Sequence, residues 1–294
     1  MPYYDGQGRG FPIRWLIALV IAGMGLWSYY HQSEVNPVTG QKQHVAMTAD
    51  QETAIGLQSA PQMAAEMGGE VDESDPREQL VKRIGQHVLI GSDAHKSPYN
   101  YDFHLLNDSK TINAFALPGG QVFITVGLLD KLENEAQLAG VLGHEIGHVV
   151  NRHAAQHLAK SELGQKIASS VGVAASQDMR HGMEASAVAA VVNHMMQLKY
   201  SRNDESEADQ FGLQYMTQAG YDPRAMLGVM KILMESSKRG EQPEILQTHP
   251  QPEHRIERIQ AYLDKNYPGG VPEDLTMGPA LQHAVEAGYD DRAR

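Results

Sequence analysis

The chain has 294 residues, enough to bury one sizeable core or two small ones. Its formal net charge of −12, with no locally basic segment, excludes nucleic acid as a partner, because phosphates need a basic patch. Cysteine is absent, which excludes disulfides, thiolate metal sites and a cysteine nucleophile, and leaves His, Asp and Glu as the available metal ligands.

Residues 15–30 carry no charged side chain. As a helix they would span roughly 24 Å, slightly short of a full bilayer core. Trp15 and Trp27 lie near the ends, joined by Tyr29 and Tyr30, as in an aromatic belt. Arg9 and Arg14 precede the run and no Lys or Arg follows until Lys42. The reading is a single-pass anchor, with residues 1–14 cytoplasmic and the remainder extracytoplasmic, on the periplasmic side or its equivalent. The competing readings are a cleaved signal peptide, with a small-residue site near Gly23 and Gly25 and a soluble periplasmic or secreted product, and a buried helix.

Residues 31–47 read as a polar, turn-rich linker around Asn36-Pro37-Val38-Thr39-Gly40. A peptidase-sized domain is expected over 48–266 and a Gly-, Pro- and acid-rich tail without a packed core over 267–294. Thr48 with Gln51 forms a capping box ahead of one helix. Asp75, with Pro76 at the first position, caps a second helix whose apolar stripe is Leu80, Ile84 and Val88. Between 100 and 125 the period changes to two: strands at Tyr101–Leu105, Thr111–Leu117 and Gln121–Thr125, read as a small antiparallel sheet. Asn134 caps a helix expected to run unbroken over 135–159. Residues 164–198 are rich in Ala, Val, Ser and Met and read as packed helix, or else as a lid or membrane-resting element. Helices are expected at 202–219, 223–239 and 251–266. The fold class expected is α+β, mainly helical.

The helix at 135–159 contains His144-Glu145-Ile146-Gly147-His148. Residues four apart share a helix face, so His144 and His148 can bind one zinc ion, with Glu145 placed to act on a zinc-bound water. The bland alternative is a surface helix with two solvated histidines. A catalytic zinc site needs a third protein ligand and an open position. Ala154 stands where a metzincin would carry its third histidine. The candidate is Glu205, with Asp209 four residues on to accept the free N–H of a ligating histidine, expected to be His144. Glu207 ranks lower, since Phe211 stands four residues after it; the alternative for all these acids is a solvated face. His153 and His157 form another i, i+4 pair. On a continuous helix, nine residues from His144 is about 180° around, so they are expected to face away from the site.

These segments carry a resemblance. Asn113-Ala114-Phe115-Ala116-Leu117-Pro118-Gly119-Gly120, the HExxH helix continuing to Asn151-Arg152-His153, the Ser201-Arg202…Glu205…Ala208-Asp209 stretch and Thr248-His249-Pro250 resemble, in that order, the gluzincin peptidases of the CAAX-prenyl protease, HtpX, Oma-type and BepA family. The resemblance spans about residues 36–260 and implies a zincin-like fold. It implies one Zn2+ per chain held by His144, His148 and Glu205, with Glu145 as base, and protein or peptide substrates. It also implies that strand Asn113, Ala114, Phe115 and Ala116 aligns substrate backbone, and that His249 acts at the site, as a latency switch or an oxyanion contact, against a purely structural histidine. Arg202 and Tyr200 are weaker oxyanion candidates. BepA-like members also carry a helical-repeat domain after the peptidase, and none is expected in these 294 residues. The function implied is a zinc metalloendopeptidase acting on membrane or envelope proteins. The alternatives are a zinc-binding chaperone-like or assembly factor with little or latent proteolysis, and a zinc exopeptidase.

Overall fold

The computed structural model describes residues 33–45, 47–160, 188–250 and 252–282. The expected anchor at 15–30, the stretch before it, most of 164–198 and the last residues of the tail lie outside these. Among the described residues no helix is long and apolar enough to cross a membrane.

The described part of the expected linker forms a hairpin, β1 (Ser33–Val35) antiparallel to β2 (Lys42–His44), turned through Gly40 at φ 68°. It is pinned to the molecule: the Asn36 side-chain amide donates to the carbonyl of Val150, and that of Gln43 to the carbonyl of Asn151. Helix α1 (Ala49–Glu66) starts at the Thr48/Gln51 capping box, and α2 (Pro76–Ile90) at Asp75, whose carboxylate accepts from the Arg77 N–H. Both starts satisfy amide donors that a helix cannot satisfy itself.

Strands β3 (Asp102–Leu106), β4 (Ala114–Ala116) and β5 (Gln121–Thr125) form one sheet in the order β3-β5-β4. The expected antiparallel sheet is mixed: β4 and β5 are antiparallel, but β3 and β5 are parallel. Gly119 and Gly120, at φ 84° and 105°, turn β4 tightly back into β5. That return inserts β5 between the other two strands, and period counting cannot foresee insertion. Side chains alternate across the sheet. Phe103, Leu105, Val122 and Ile124 enter the main core with α2, while Leu106, Phe115 and Phe123 enter a second cluster with α1. The sheet is therefore buried on both faces, with β4 at one edge.

After the short α3 (Val126–Leu129), Asn134 caps α4 (Glu135–Val150), in which every residue is buried. A helix hydrophobic nearly all round belongs at the centre of a domain. The expected single helix over 135–159 is corrected here. α4 ends at Val150, Arg152 adopts a left-handed φ of 57°, and α5 (His153–Lys160) sets off in a new direction. The break has a cause: the Arg152 guanidinium is held by Glu52, by Glu34 and by the carbonyl of Met47.

A helical stretch α6 over 188–197 precedes α7 (Arg202–Gln218). α7 lies against α4 through glycines. A Cβ built on Gly212 would stand 3.0 Å from the backbone nitrogen of His144, and one on Gly147 3.0 Å from the carbonyl oxygen of Ala208. α8 (Ala225–Lys238), the single turn α9 (Ile245–Thr248) and α10 (Pro252–Asn266) follow. The tail was expected to lack a packed core, but its described part packs. Met277 and Pro279 accept from the first amides of α4, and Leu281 is buried. The acid- and glycine-rich composition hid a segment that caps orphan donors of the central helix.

Candidate active site

In its second half α4 buries three polar side chains among apolar ones: His144, Glu145 and His148 are 3%, 0% and 2% exposed. Unpaired polar groups at such depth are costly, so partners are expected. The two histidines turn Nε2 toward each other at 3.1 Å. The close approach of α7 brings Glu205 to them: Oε1 lies 3.4 Å from His148 Nε2, and Oε2 3.8 Å from His144 Nε2. His249, at the C-cap of α9, closes the set, with Nδ1 2.9 Å from Glu205 Oε1 and 3.3 Å from His144 Nε2. One donor atom from each of these four buried residues lies within 4.8 Å of the others.

The set suits a zinc ion on three grounds. A tetrahedral zinc with bonds of about 2.0–2.1 Å has ligand atoms about 3.3 Å apart, close to the separations found here. Both Glu145 oxygens and His249 Nε2 are buried without a hydrogen-bond partner. Formally, Glu145, Glu205 and Asp209 carry three negative charges against the single positive charge of Arg255, a balance that a divalent cation restores.

Electrostatics point the same way. Burial pushes the His148 ring well below its ordinary pKa, which keeps it neutral with a lone pair to give. Burial raises the Glu205 carboxyl, but the neighbouring His249 and Arg255 outweigh this and hold it well below the usual range. Burial lowers His249, yet the carboxylates of Glu205 and Glu145 raise it overall. Asp209 is lowered because Arg255 beats the burial penalty.

Around the four donors lies a set of supporting contacts. Asp209 Oδ1 is 3.1 Å from His144 Nδ1. The Arg255 guanidinium donates to both Asp209 oxygens and stands 3.1 Å from Glu205 Oε2. The Tyr200 ring lies over His148, with centroids 4.0 Å apart.

Residues 75–263 match the family described as Peptidase family M48. The chain belongs to peptidase family M48. Membership makes it a zinc metalloendopeptidase and goes with the α+β zincin-like fold. The M48 chain is 29% identical over 262 residues to the mitochondrial metalloendopeptidase OMA1 of Schizosaccharomyces pombe, covering 88% of itself and 75% of that relative. It is 28% identical over 248 residues to the beta-barrel assembly-enhancing protease of Escherichia coli, covering 82% of itself and 50% of the relative. With the mitochondrial metalloendopeptidase OMA1 of Homo sapiens it shares 29% identity over 268 residues, covering 87% of itself and 50% of the relative. The chain thus spans about half the length of the latter two.

Of the residues singled out in this M48 sequence, His144, His148, Glu205, Asp209, His249 and Glu145 come together in one buried cluster. Asn113, Ala114, Phe115 and Ala116 lie at the sheet edge. Thr125 N bonds Asn113 O, and Leu117 N bonds Gln121 O. By alternation, Ala114 and Ala116 turn their amide and carbonyl groups away from β5. The Ile245 amide donates to Ile112 O on that same outer side. Arg202 is exposed. His153 and His157, expected to face away, instead meet α7: His153 Nε2 is 3.3 Å from Glu207 and His157 Nε2 is 2.8 Å from Asp204. That expectation failed because it extended one helix through the break at Arg152. Arg255 escaped the sequence reading altogether, although a signal existed. Arg255, Ile259 and Leu263 share one stripe of α10, all buried, so the arginine occupies an apolar position.

Proposed function

We propose that the chain hydrolyses internal peptide bonds with His144, His148 and Glu205 holding one zinc ion and Glu145 serving as general base. The observation that carries this reading is the buried cluster of donor atoms beside a buried carboxylate without a hydrogen-bond partner. Bound there, zinc would polarise the scissile carbonyl and acidify the attacking water. Glu145 takes the water's proton and passes it to the leaving amine. Asp209 accepts from His144 Nδ1 and fixes the tautomer that leaves Nε2 free. Arg255 orients Asp209 and Glu205 together. Substrate backbone lies extended along the outward-facing amides and carbonyls of Ala114 and Ala116, so recognition is mainly of the main chain. The test is casein cleavage by the zinc-loaded full chain. Glu145→Gln is expected to lower the rate about a hundredfold or more with zinc content unchanged. Equal cleavage by both proteins would sink the mechanism.

His249 favours a second, compatible reading. Its Nδ1 takes the fourth place of the set, which a catalytic site keeps for water. We read this as a latent state in which the α9 segment closes the site, and Ile245 at Ile112 O closes part of the substrate edge with it. His249→Ala is expected to raise casein cleavage. A fall to the level of Glu145→Gln would instead assign His249 to the transition state, and undiminished silence of both would favour the zinc-binding assembly factor.

The peptidase unit is proposed as residues 48–266. The uncharged run with Trp15 and Trp27 at its ends supports an anchor at 15–30, with the peptidase on the opposite side from Arg9 and Arg14. Membrane or envelope proteins are then the proposed substrates. Retention of the full chain in membranes after alkaline carbonate washing is expected; release into the wash would favour a cleaved signal.

A further inference from the structure

α5 carries two histidines, and both meet acids in the first turns of α7. His153 differs from His157 in what its other ring nitrogen does. His153 Nδ1 lies 2.9 Å from Nδ1 of His148, and the ring is 1% exposed. Two ring nitrogens at that distance share one hydrogen, so one donates and the other accepts. His148 turns Nε2 to the donor cluster, where a metal ligand needs its lone pair. Its ring hydrogen must therefore sit on Nδ1, and His153 Nδ1 must be the acceptor. The hydrogen of His153 is then on Nε2, aimed at Glu207 Oε2 3.3 Å away. Each link has only one possible polarity.

We propose that His153 is the positioning residue for His148, holding its tautomer and ring orientation, with Glu207 holding His153 in turn. This rests on His148 being a zinc ligand. The two ligating histidines would then be held by unlike means. His144 faces the carboxylate of Asp209 directly, whereas His148 faces a second imidazole. An imidazole orients without adding a further negative charge to a cluster already rich in carboxylates. The left-handed turn at Arg152 is what swings His153 back against His148; on an unbroken helix it could not reach.

The Oδ1 of asparagine stands one bond from Cγ, as the Nδ1 of histidine does. His153→Asn therefore keeps an acceptor in place, and His153→Leu removes it. In the full chain, zinc affinity by chelator competition and the cobalt(II) absorption spectrum report on the site without any proteolysis. His153→Leu is expected to weaken zinc binding about 10- to 100-fold and to shift the cobalt bands, the usual scale for losing a ligand's outer partner. His153→Asn is expected to stay within about threefold of wild type. Long-range proton–nitrogen spectra of the unmodified chain should find ring hydrogens on His148 Nδ1 and His153 Nε2, and this arm stands even where His153→Leu fails to fold. The opposite tautomers, or wild-type zinc affinity in His153→Leu, overturn the proposal. So does an asparagine variant as weak as the leucine one. An unmodified chain that takes up no zinc overturns the proposed function as well, whereas wild-type affinity in His153→Leu overturns only this inference.

Discussion

Arg255 is the residue on which the cluster's charge balance turns. Its side chain is 2% exposed and pairs with two carboxylates that are themselves buried, Asp209 and Glu205. Removing one partner of a buried ion pair costs about 3–5 kcal/mol, because the remaining charge stays desolvated. Arg255→Leu is therefore expected to destabilise the metal-free chain by about that much in urea unfolding. Arg255→Lys should recover only part of the loss, since a point charge cannot span both acids as the planar fork does. A leucine variant within about 1 kcal/mol of wild type would show that the acids are neutral in the folded chain. Much of this site was legible in the sequence. HExxH and the Glu205/Asp209 spacing carry their geometry locally, because four residues make one helical turn. Arg255 and His153 were not legible in the same way. The partners of Arg255 lie 46 and more residues away, and the placement of His153 depends on a backbone break made by the distant Glu52 and Met47.

At the scale of elements, the approach of α7 to α4 decides whether Glu205 meets His144 and His148. Gly212 faces the backbone of His144, with nitrogen at 3.0 Å and Cα at 3.1 Å from where a Cβ would stand. Neither atom can swing aside as a side-chain end would. Gly212→Ala would gain about 1 kcal/mol of helix propensity, but overpacking costs about 1–3 kcal/mol, and here the contact is with backbone. Lower stability with weaker zinc binding is expected, because separating the helices draws Glu205 from His148. Higher stability with unchanged affinity would refute the tight contact. Helix starts behave more simply. Asp75→Ala should cost about 1 kcal/mol at pH 7, the usual value of an N-cap. Hydrogen bonds from Arg77, working against burial, hold the Asp75 carboxyl below its ordinary 3.8. A lowered folded pKa gives stability that is present above the unfolded value and lost as pH falls through the folded one. The gap between wild type and variant should thus shrink below about pH 3.8, as urea titrations at several pH values would reveal. Caps such as Thr48, Asp75 and Asn134 could be read from sequence since their partners sit within three residues. The order β3-β5-β4 could not, since strand pairing is a choice among distant partners.

Across the whole molecule, the segment before residue 75, outside the matched family region, is built onto the end of α4, the helix that carries His144, Glu145 and His148. Arg152 joins them. It donates to Glu52 of α1, to Glu34 of β1 and to the carbonyl of Met47, while Tyr99 donates to the other Glu52 oxygen. Holding a non-glycine residue left-handed costs about 1–2 kcal/mol, so the ion pair must more than offset this for the turn to persist. Glu52→Leu would leave Arg152, 5% exposed, with only the exposed Glu34 as a charged partner among the described residues, at a cost of about 3–5 kcal/mol. Adding Arg152→Gly removes the stranded charge and relieves the turn. The double variant is therefore expected to be more stable than Glu52→Leu alone, by more than about 1 kcal/mol in urea unfolding. Its zinc affinity should track the backbone rather than the charge. Glycine adopts the left-handed turn freely, so His153 stays against His148 and the double variant binds zinc better than Glu52→Leu. Simple additivity of the two substitutions would mean that Arg152 and Glu52 are not coupled, and that the N-terminal segment does not hold the helix end through this pair.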